Sequence, residues 1–292
     1  MEIIRNVVLT GATSGLGRVV AVGLASRVAR LGIVARDPVK AAALHREIDN
    51  MGLNVRFDVF IADMSSLLDV RRVGREISTR FDRLDVLINN AGLHAFSQRV
   101  TVDGLAEMMA VNYLAPWVLT DSLRDCLVSS APARVVNVAS GAARRAVGVE
   151  PTKDLTDVGA YSRRQSMGFY GQTKLMDIMF TQELGRRLSG TGVTANCCDP
   201  GFNVTGLGRE LPLASALRRM LALARVGDPR QGASVIMCLA TDPRFGQVTS
   251  GYFSVDDVKA LECPSTGSDA AAQHALWEAT RALVESVAAR ER

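Results

Sequence analysis

The feature that most constrains this chain is the rhythm of its apolar runs. "NVVLT" (6–10), "LGIVA" (31–35), "VRFDVFIAD" (55–63), "LDVLINN" (84–90), "ARVVNVAS" (133–140), "GVTANCCD" (192–199) and "SGYFSV" (250–255) read as strands. Between most of them the apolar residues recur at helical spacing, as in "GRVVAVGLASRVAR" and "SLLDVRRVGREI". A strand, a helical crossover and another strand make a parallel pair, and the alternation predicts a parallel sheet covered by helices on both faces. No repeat or linker interrupts the pattern, so one α/β domain over 1–292 is expected.

Two stretches break the rhythm. Residues 141–165 form a long polar connection, and 202–230 open with glycines and then become helical in pattern. Unusually long connections often serve as lids or binding loops, so both are read as substrate segments. The hydrophobic fraction of 48% suits a large core, and a net charge of +4 is weak for 292 residues. The arginines are scattered, which argues against a nucleic-acid partner. Five cysteines without CxxC spacing read as reduced thiols, and no His/Cys cluster has metal-ligand spacing, so no metal is expected. The sequence has no apolar run long enough to span a membrane and no signal-peptide pattern near Met1, so a cytoplasmic protein is expected.

"TGATSGLG" (10–17) lies where the first strand hands over to the first helix. Gly11 permits a tight turn, and Gly15 and Gly17 let the backbone approach a pyrophosphate at the helix N-terminus. The spacing differs from G-x-G-x-x-G, and an ordinary glycine-rich turn is the bland alternative. At the end of the second strand Ala35 is followed by Arg36. An acidic residue there would bind a ribose 2′-hydroxyl, whereas arginine suits a 2′-phosphate, so NADP(H) is favoured over NAD(H). Asp37 follows directly and blurs that choice.

With "NNAG" (89–92), "VNYLAPWVLT" (111–120), "RVVNVAS" (134–140), "YGQTK" (170–174) and "PGFNVT" (200–205) added in this order, the chain resembles the short-chain dehydrogenase/reductase family over about residues 5–255. "ARDPVK", "FTQELGRRLSGTGVTAN" and "TGLGRELPL" are similar to retinol-dehydrogenase-like and protochlorophyllide-reductase-like members. The resemblance implies a doubly wound Rossmann-type domain with a seven-stranded parallel sheet in the order 3-2-1-4-5-6-7. It implies that Asn112, Ser140, Tyr170 and Lys174 are catalytic. For the cofactor it implies Gly11, Thr13, Ser14, Gly15, Leu16 and Gly17 in the glycine loop, Arg36, Asp63 and Met64 near the adenosine, Asn90, Ala91, Gly92 and Val111 along the sugars, and Pro200, Gly201 and Thr205 around the nicotinamide. Tyr170 and Lys174 join the cofactor set, Lys174 through the nicotinamide ribose. A homodimer or homotetramer is also implied.

The chemistry follows from residue type. Tyr170 and Lys174 stand at i and i+4 and share a helix face. A nearby ammonium favours the phenolate, so the expectation is a tyrosine of lowered pKa that gives a proton to a carbonyl oxygen as hydride reaches its carbon. Ser140 would hold that oxygen. The gap of 30 residues between Ser140 and Tyr170 leaves room for this only if the insertion bulges away. The resemblance further implies that Asn112 sits at a helix kink and holds a water that relays protons to Lys174. His94, Ala142 and Tyr161 are weaker candidates for substrate contact, His94 reading more simply as a loop residue. The expected activity is NADPH-dependent reduction of a ketone, aldehyde or quinone on a bulky hydrophobic molecule such as a polyketide, terpenoid or retinoid. Alcohol oxidation, C=C reduction and a non-catalytic nucleotide-binding partner protein are the alternatives.

Overall fold

The computed structural model describes residues 6–201 and 228–290. Strands β1 (Asn6–Thr10), β2 (Arg30–Ala35), β3 (Arg56–Ile61), β4 (Val86–Asn89), β5 (Ala133–Val138), β6 (Val193–Asp199), β7 (Tyr252–Ser254) and β8 (Ala260–Leu261) form one sheet in the order β3-β2-β1-β4-β5-β6-β7-β8. The first seven pair in parallel, as expected. The eighth, β8, pairs antiparallel with β7. Its two residues are too few to carry a periodic signal, which is why the sequence did not announce it.

Between the strands run α1 (Gly15–Ala25), α2 (Pro38–Asp49), α3 (Leu67–Arg80), α4 (Glu107–Met109), α5 (Ala115–Ser122), α6 (Arg124–Ser129), α7 (Pro151–Asp154), α8 (Ser166–Arg187), α9 (Pro229–Thr241) and α10 (Ala270–Ala289). Side chains alternate across a strand, so each apolar run feeds two cores. In β1, Val7 and Leu9 pack with α1, α2 and α9, while Val8 packs on the opposite face with α3, α5 and α8. In β5, Val136 and Val138 join the first core and Val135 the second. Both faces being dry, the runs read as continuously apolar rather than alternating. In α3 the buried set Leu67, Val70, Val73, Gly74 and Ile77 makes one helical stripe. Gly74 is at the crossing with α5, where a Cβ would stand 2.5 Å from Ser122 Cβ.

The carboxyl edge of the sheet is tied together by side chains. Thr10 ends β1 and is 1% exposed. Its Oγ1 accepts hydrogen bonds from the Asn90 amide at 3.0 Å and the Ala91 amide at 2.9 Å. Asn90 returns the connection, its Nδ2 donating to the Thr10 carbonyl at 2.9 Å. Deeper in the sheet, Asn89 Nδ2 donates to Asn137 Oδ1 at 2.8 Å and Asn137 Nδ2 donates to Thr181 Oγ1 at 2.9 Å. These bonds fix the ends of β1, β4 and β5 relative to α8. No helix among the described residues is long and apolar enough to cross a membrane.

Thr10→Val keeps the shape of the side chain and removes the acceptor of two amides. Leaving buried donors unmet costs on the order of 1–3 kcal/mol each. Chemical denaturation should show Thr10→Val less stable than the parent by about 2 kcal/mol or more, and Thr10→Ser close to the parent.

Candidate active site

The strand order reverses direction between β1 and β4: the chain leaves β1 for β2 on one side and later returns to β4 on the other. In doubly wound sheets the crevice outside the carboxyl ends at this point takes the ligand. The glycine loop crosses it. Gly11 has φ +69° and Gly15 has φ +52°, conformations that suit glycine. A Cβ on Gly11 would come within 2.8 Å of Ala91 Cα, and one on Gly17 would collide with the Gly11 carbonyl oxygen. Helix α1 opens at Gly15 behind an extended Ser14 whose side chain makes no capping bond, and its first turn carries no acidic residue. The unsatisfied first-turn amides therefore face the crevice with no internal anion competing for them, which fits a phosphate.

The other wall comes from α8 and from the helix before α5. Residues Ala110–Leu114 form a π turn. Pro116 lies two residues beyond it and has no amide hydrogen to return to the carbonyl of Asn112, which is the physical reason for the break. Asn112 is fully buried. Its Oδ1 accepts from the Leu93 amide at 2.8 Å, and its Nδ2 donates to the Leu93 carbonyl at 2.9 Å and to Thr173 Oγ1 at 3.1 Å. The expected kink at Asn112 is present, and it locks the "NNAG" loop onto α8. At Gly92 a Cβ would lie 3.4 Å from Asn112 Oδ1 and 3.8 Å from Lys174 Nζ. Its absence leaves a cradle beside both polar groups, which fits a sugar edge.

Tyr170 and Lys174 stand on the inner face of α8, 8% and 4% exposed. Lys174 Nζ donates to the Val138 carbonyl at 2.7 Å and to Asp177 Oδ2 at 2.8 Å. Ser140 follows β5, and its Oγ accepts from the Ala142 amide at 3.2 Å. It lies close enough to the Tyr170 phenol to favour the anion by hydrogen bonding. The insertion does bulge away. The turn Gly141–Arg145 lies on α8, where a Cβ on Gly171 would strike the Ala142 carbonyl oxygen; the segment then passes through α7, buries Leu155, and returns to α8 where Tyr161 stacks on Phe169.

The electrostatics correct one expectation. Burial pushes the Tyr170 phenol above its ordinary value; Lys174 and Ser140 pull it down without overcoming that, and the charges of Asp177 and Asp199 add to the rise. Lys174 does act in the expected direction, but the phenol of this structure is a weaker acid than a free tyrosine. Burial also works against the Lys174 ammonium, and the Asp177 carboxylate more than restores it. Asp177 itself is pushed up to about 6 by burial, with Lys174 opposing.

The remaining candidates divide. Arg36 is exposed just past β2. Asp37 is occupied as the cap of α2, its Oδ1 accepting from the Val39 amide at 2.9 Å and the Lys40 amide at 3.1 Å. Asp63 closes a turn after β3, accepting from the Ser65 amide at 2.9 Å. The Met64 side chain is packed in the core, so only its backbone is left for a ligand. Val111 lies on the π turn, Leu16 packs against the core, and Thr13 lies in the loop ahead of α1. Gly201 has φ +71°, and its amide donates to Asp199 Oδ1 at 3.0 Å, directly after Pro200. Thr205 and almost all of 202–230 lie outside the described residues. His94 is at the site rather than in a detached loop: its ring centroid is 5.2 Å from that of Tyr170, and Nε2 is 3.0 Å from Ser166 Oγ. Tyr161 stacks on Phe169 at 5.3 Å and donates its hydroxyl to the Ser97 carbonyl at 3.2 Å. With Ala95, Met108, Leu93 and Ala142 these rings build an apolar cluster around Tyr170.

Two residues escaped the reading of the sequence. Thr10 was the first letter of "TGATSGLG", and its tie to Asn90 and Ala91 needs the neighbouring strand to be seen. Asp177 follows Lys174 at i+3, a spacing visible in "KLMD". Among the described residues no group of three or more His, Cys, Asp or Glu side chains could hold a metal.

A family model described as short chain dehydrogenase matches residues 5–152. The chain is 34% identical over 293 residues to retinol dehydrogenase 14 of Mus musculus, covering 96% of this chain and 86% of that protein. Among solved structures it superposes on an uncharacterised protein from Mycobacterium paratuberculosis with TM-score 0.71 and 28% identity, covering 96% of this chain and 93% of that one. It also superposes, with TM-score 0.67 and 26% identity, on a protein from Beutenbergia cavernae described as an NAD(P)-dependent gluconate 5-dehydrogenase with bound NADP, covering 86% and 95% of the two chains. With the glycine loop, the kinked Asn112 helix and the buried Tyr170–Lys174 pair in one crevice, the chain belongs to the short-chain dehydrogenase family and is an NAD(P)-dependent oxidoreductase.

Proposed function

We propose that this protein uses NADPH to reduce a carbonyl on a bulky hydrophobic substrate, with a retinoid-like aldehyde as the first class to try. The observation that carries the reading is the position of the Tyr170 phenol. It is buried, next to a charged lysine, and ringed by apolar and aromatic side chains. Such a wall favours a hydrophobic ligand, and the phenol is the polar group within it that can give up a proton. The relative named retinol dehydrogenase 14 points to the same substrate class.

When bound, the dinucleotide supplies the hydride. The protein's part is to hold and protonate. Ser140 donates a hydrogen bond to the substrate oxygen and Tyr170 gives it a proton as negative charge grows there. The Lys174 charge stabilises the phenolate left behind. Asn112 keeps Gly92 and the Leu93 backbone against α8, so the sugar side of the ligand meets a fixed wall. The exposed Arg36 is available for a 2′-phosphate, and Asp37, though next to it, has its carboxylate turned into the cap of α2. The NADP in the Beutenbergia cavernae structure agrees with this preference.

The pH dependence of each direction follows from the phenol. A tyrosine whose pKa is raised by burial is protonated at neutral pH, which is the form that reduction needs. Reduction should therefore be flat through neutral pH and fall only as pH rises through the phenol's pKa. Alcohol oxidation, which needs the phenolate, should climb over the same range. Rates of NADPH consumption with a panel of aldehydes, ketones and quinones across pH check this. Tyr170→Phe should lower kcat by roughly 10²–10⁴-fold while leaving NADPH affinity near that of the parent. A Tyr170→Phe enzyme as fast as the parent would remove the phenol from the mechanism.

Cofactor choice has its own test. A charge-assisted hydrogen bond is worth about 1.5–3 kcal/mol. Arg36→Ala should weaken NADPH binding by about 10–100-fold and leave NADH binding unchanged, as read by fluorescence titration. Equal losses for both dinucleotides would rule out the 2′-phosphate role.

A further inference from the structure

The residue under Lys174 has no part in the motifs, yet its chemistry bears on them. Asp177 is 1% exposed and lies one turn along α8 from Lys174. An ammonium has three donors. Lys174 gives one to the Val138 carbonyl at the end of β5 and one to Asp177 Oδ2. One remains for a ligand at the Gly92 cradle. The second carboxylate oxygen, Asp177 Oδ1, has no hydrogen-bond partner although it is buried. A carboxylate kept out of water with one oxygen unmet is costly.

We propose that Asp177 is a positioning residue of this active site, whose carboxylate holds the Lys174 ammonium against the end of β5 and keeps it charged. The inference rests on the reading of Lys174 as the charge beside Tyr170. The physical need is plain. A lysine stripped of water prefers to lose its proton, and buried lysines without a partner do so near or below neutral pH. A neutral Lys174 would give Tyr170 no help in carrying negative charge. The carboxylate reverses that preference, and with the Val138 carbonyl it takes two of the three ammonium donors, leaving the third for a ligand.

The other titratable groups facing the pair are Tyr170 on α8, Tyr113 on the π turn, Cys197 and Cys198 on β6, and Asp199 at the end of β6. Burial raises the Tyr113 phenol and the Cys197 and Cys198 thiols, so all three are neutral in the working range. From β5 the pair meets the neutral Val138 carbonyl. Asp177 is then the charge in direct contact with Lys174.

The chain has four lysines, Lys40, Lys153, Lys174 and Lys259. Isotope labelling at lysine Cε therefore gives a spectrum simple enough to follow each ammonium through a pH titration by NMR, with Lys174 assigned by its loss in Lys174→Arg. In the parent, Lys174 should titrate above the ordinary lysine value. In Asp177→Asn it should titrate about one to three pH units lower than in the parent. NADPH-dependent turnover by Asp177→Asn should acquire a new alkaline decline at that pH, and Asp177→Glu should restore the parent profile at least in part. A folded Asp177→Asn protein with an unmoved Lys174 titration overturns the proposal. Asp177→Ser serves as the second neutral variant, and failure of both to fold would make Asp177 a structural residue and overturn it equally. The lysine titration does not depend on turnover. Should Tyr170→Phe prove fully active, the reading of the site fails while the Asp177–Lys174 coupling is still measured.

Discussion

A positive charge held almost wholly out of water is the constraint around which this active site is arranged. The Lys174 ammonium can stay charged there only if its donors are met and a negative partner stands close. The Val138 carbonyl at the end of β5 and the Asp177 carboxylate supply both. That places α8 against the sheet at one height and in one rotation. Tyr170, one turn earlier on the same face, is then set beside Ser140, which β5 delivers from the other direction. The turn Gly141–Arg145 can lie on α8 only because Gly171 has no side chain to hold it off.

The second constraint is the seam between β1 and β4. Thr10 binds the amides of Asn90 and Ala91, and Asn90 binds back to the Thr10 carbonyl. Asn112 then fastens the following Leu93 by both its amide and its carbonyl. The glycine loop on one bank of the crevice and the Lys174 pocket on the other are thereby joined by a short chain of hydrogen bonds. A ligand spanning the crevice meets two rigid ends. The rings of His94, Tyr161 and Phe169 lie beyond that spine, Tyr161 on the irregular segment 141–165.

Much of the fold was legible in the apolar rhythm, since seven of the eight strands appear as runs and the helices between them as periodic stripes. The strand β8 was not, because two residues have no period. The kink at Asn112 was expected from the family resemblance alone, although its physical cause, the missing amide hydrogen of Pro116, also stands in the letters. Ser140 was harder. Its gap to Tyr170 is larger than a direct strand-to-helix passage needs, and only the path of the inserted segment decides whether the two meet. The acidity expected of Tyr170 was half right in the same way. The sign of the Lys174 effect follows from i and i+4 spacing, but the opposing effect of burial depends on how deeply α8 is packed. The partner that Lys174 takes in Asp177 was within reach of spacing, yet i+3 pairs are common on exposed helices, where they do little.

By itself the sequence determined the class of fold, the glycines that let backbone approach backbone, and the residue types able to move a proton. These depend on local period, on φ preferences and on side-chain chemistry, which one chain carries in its letters. The tertiary structure alone decided what sits next to what: Thr10 under the "NNAG" loop, Asp177 beneath Lys174, His94 against Tyr170, and an apolar wall around the phenol. It also decided the balance of charge, because desolvation is a property of packing depth, and no spacing along a chain records how much water has been excluded.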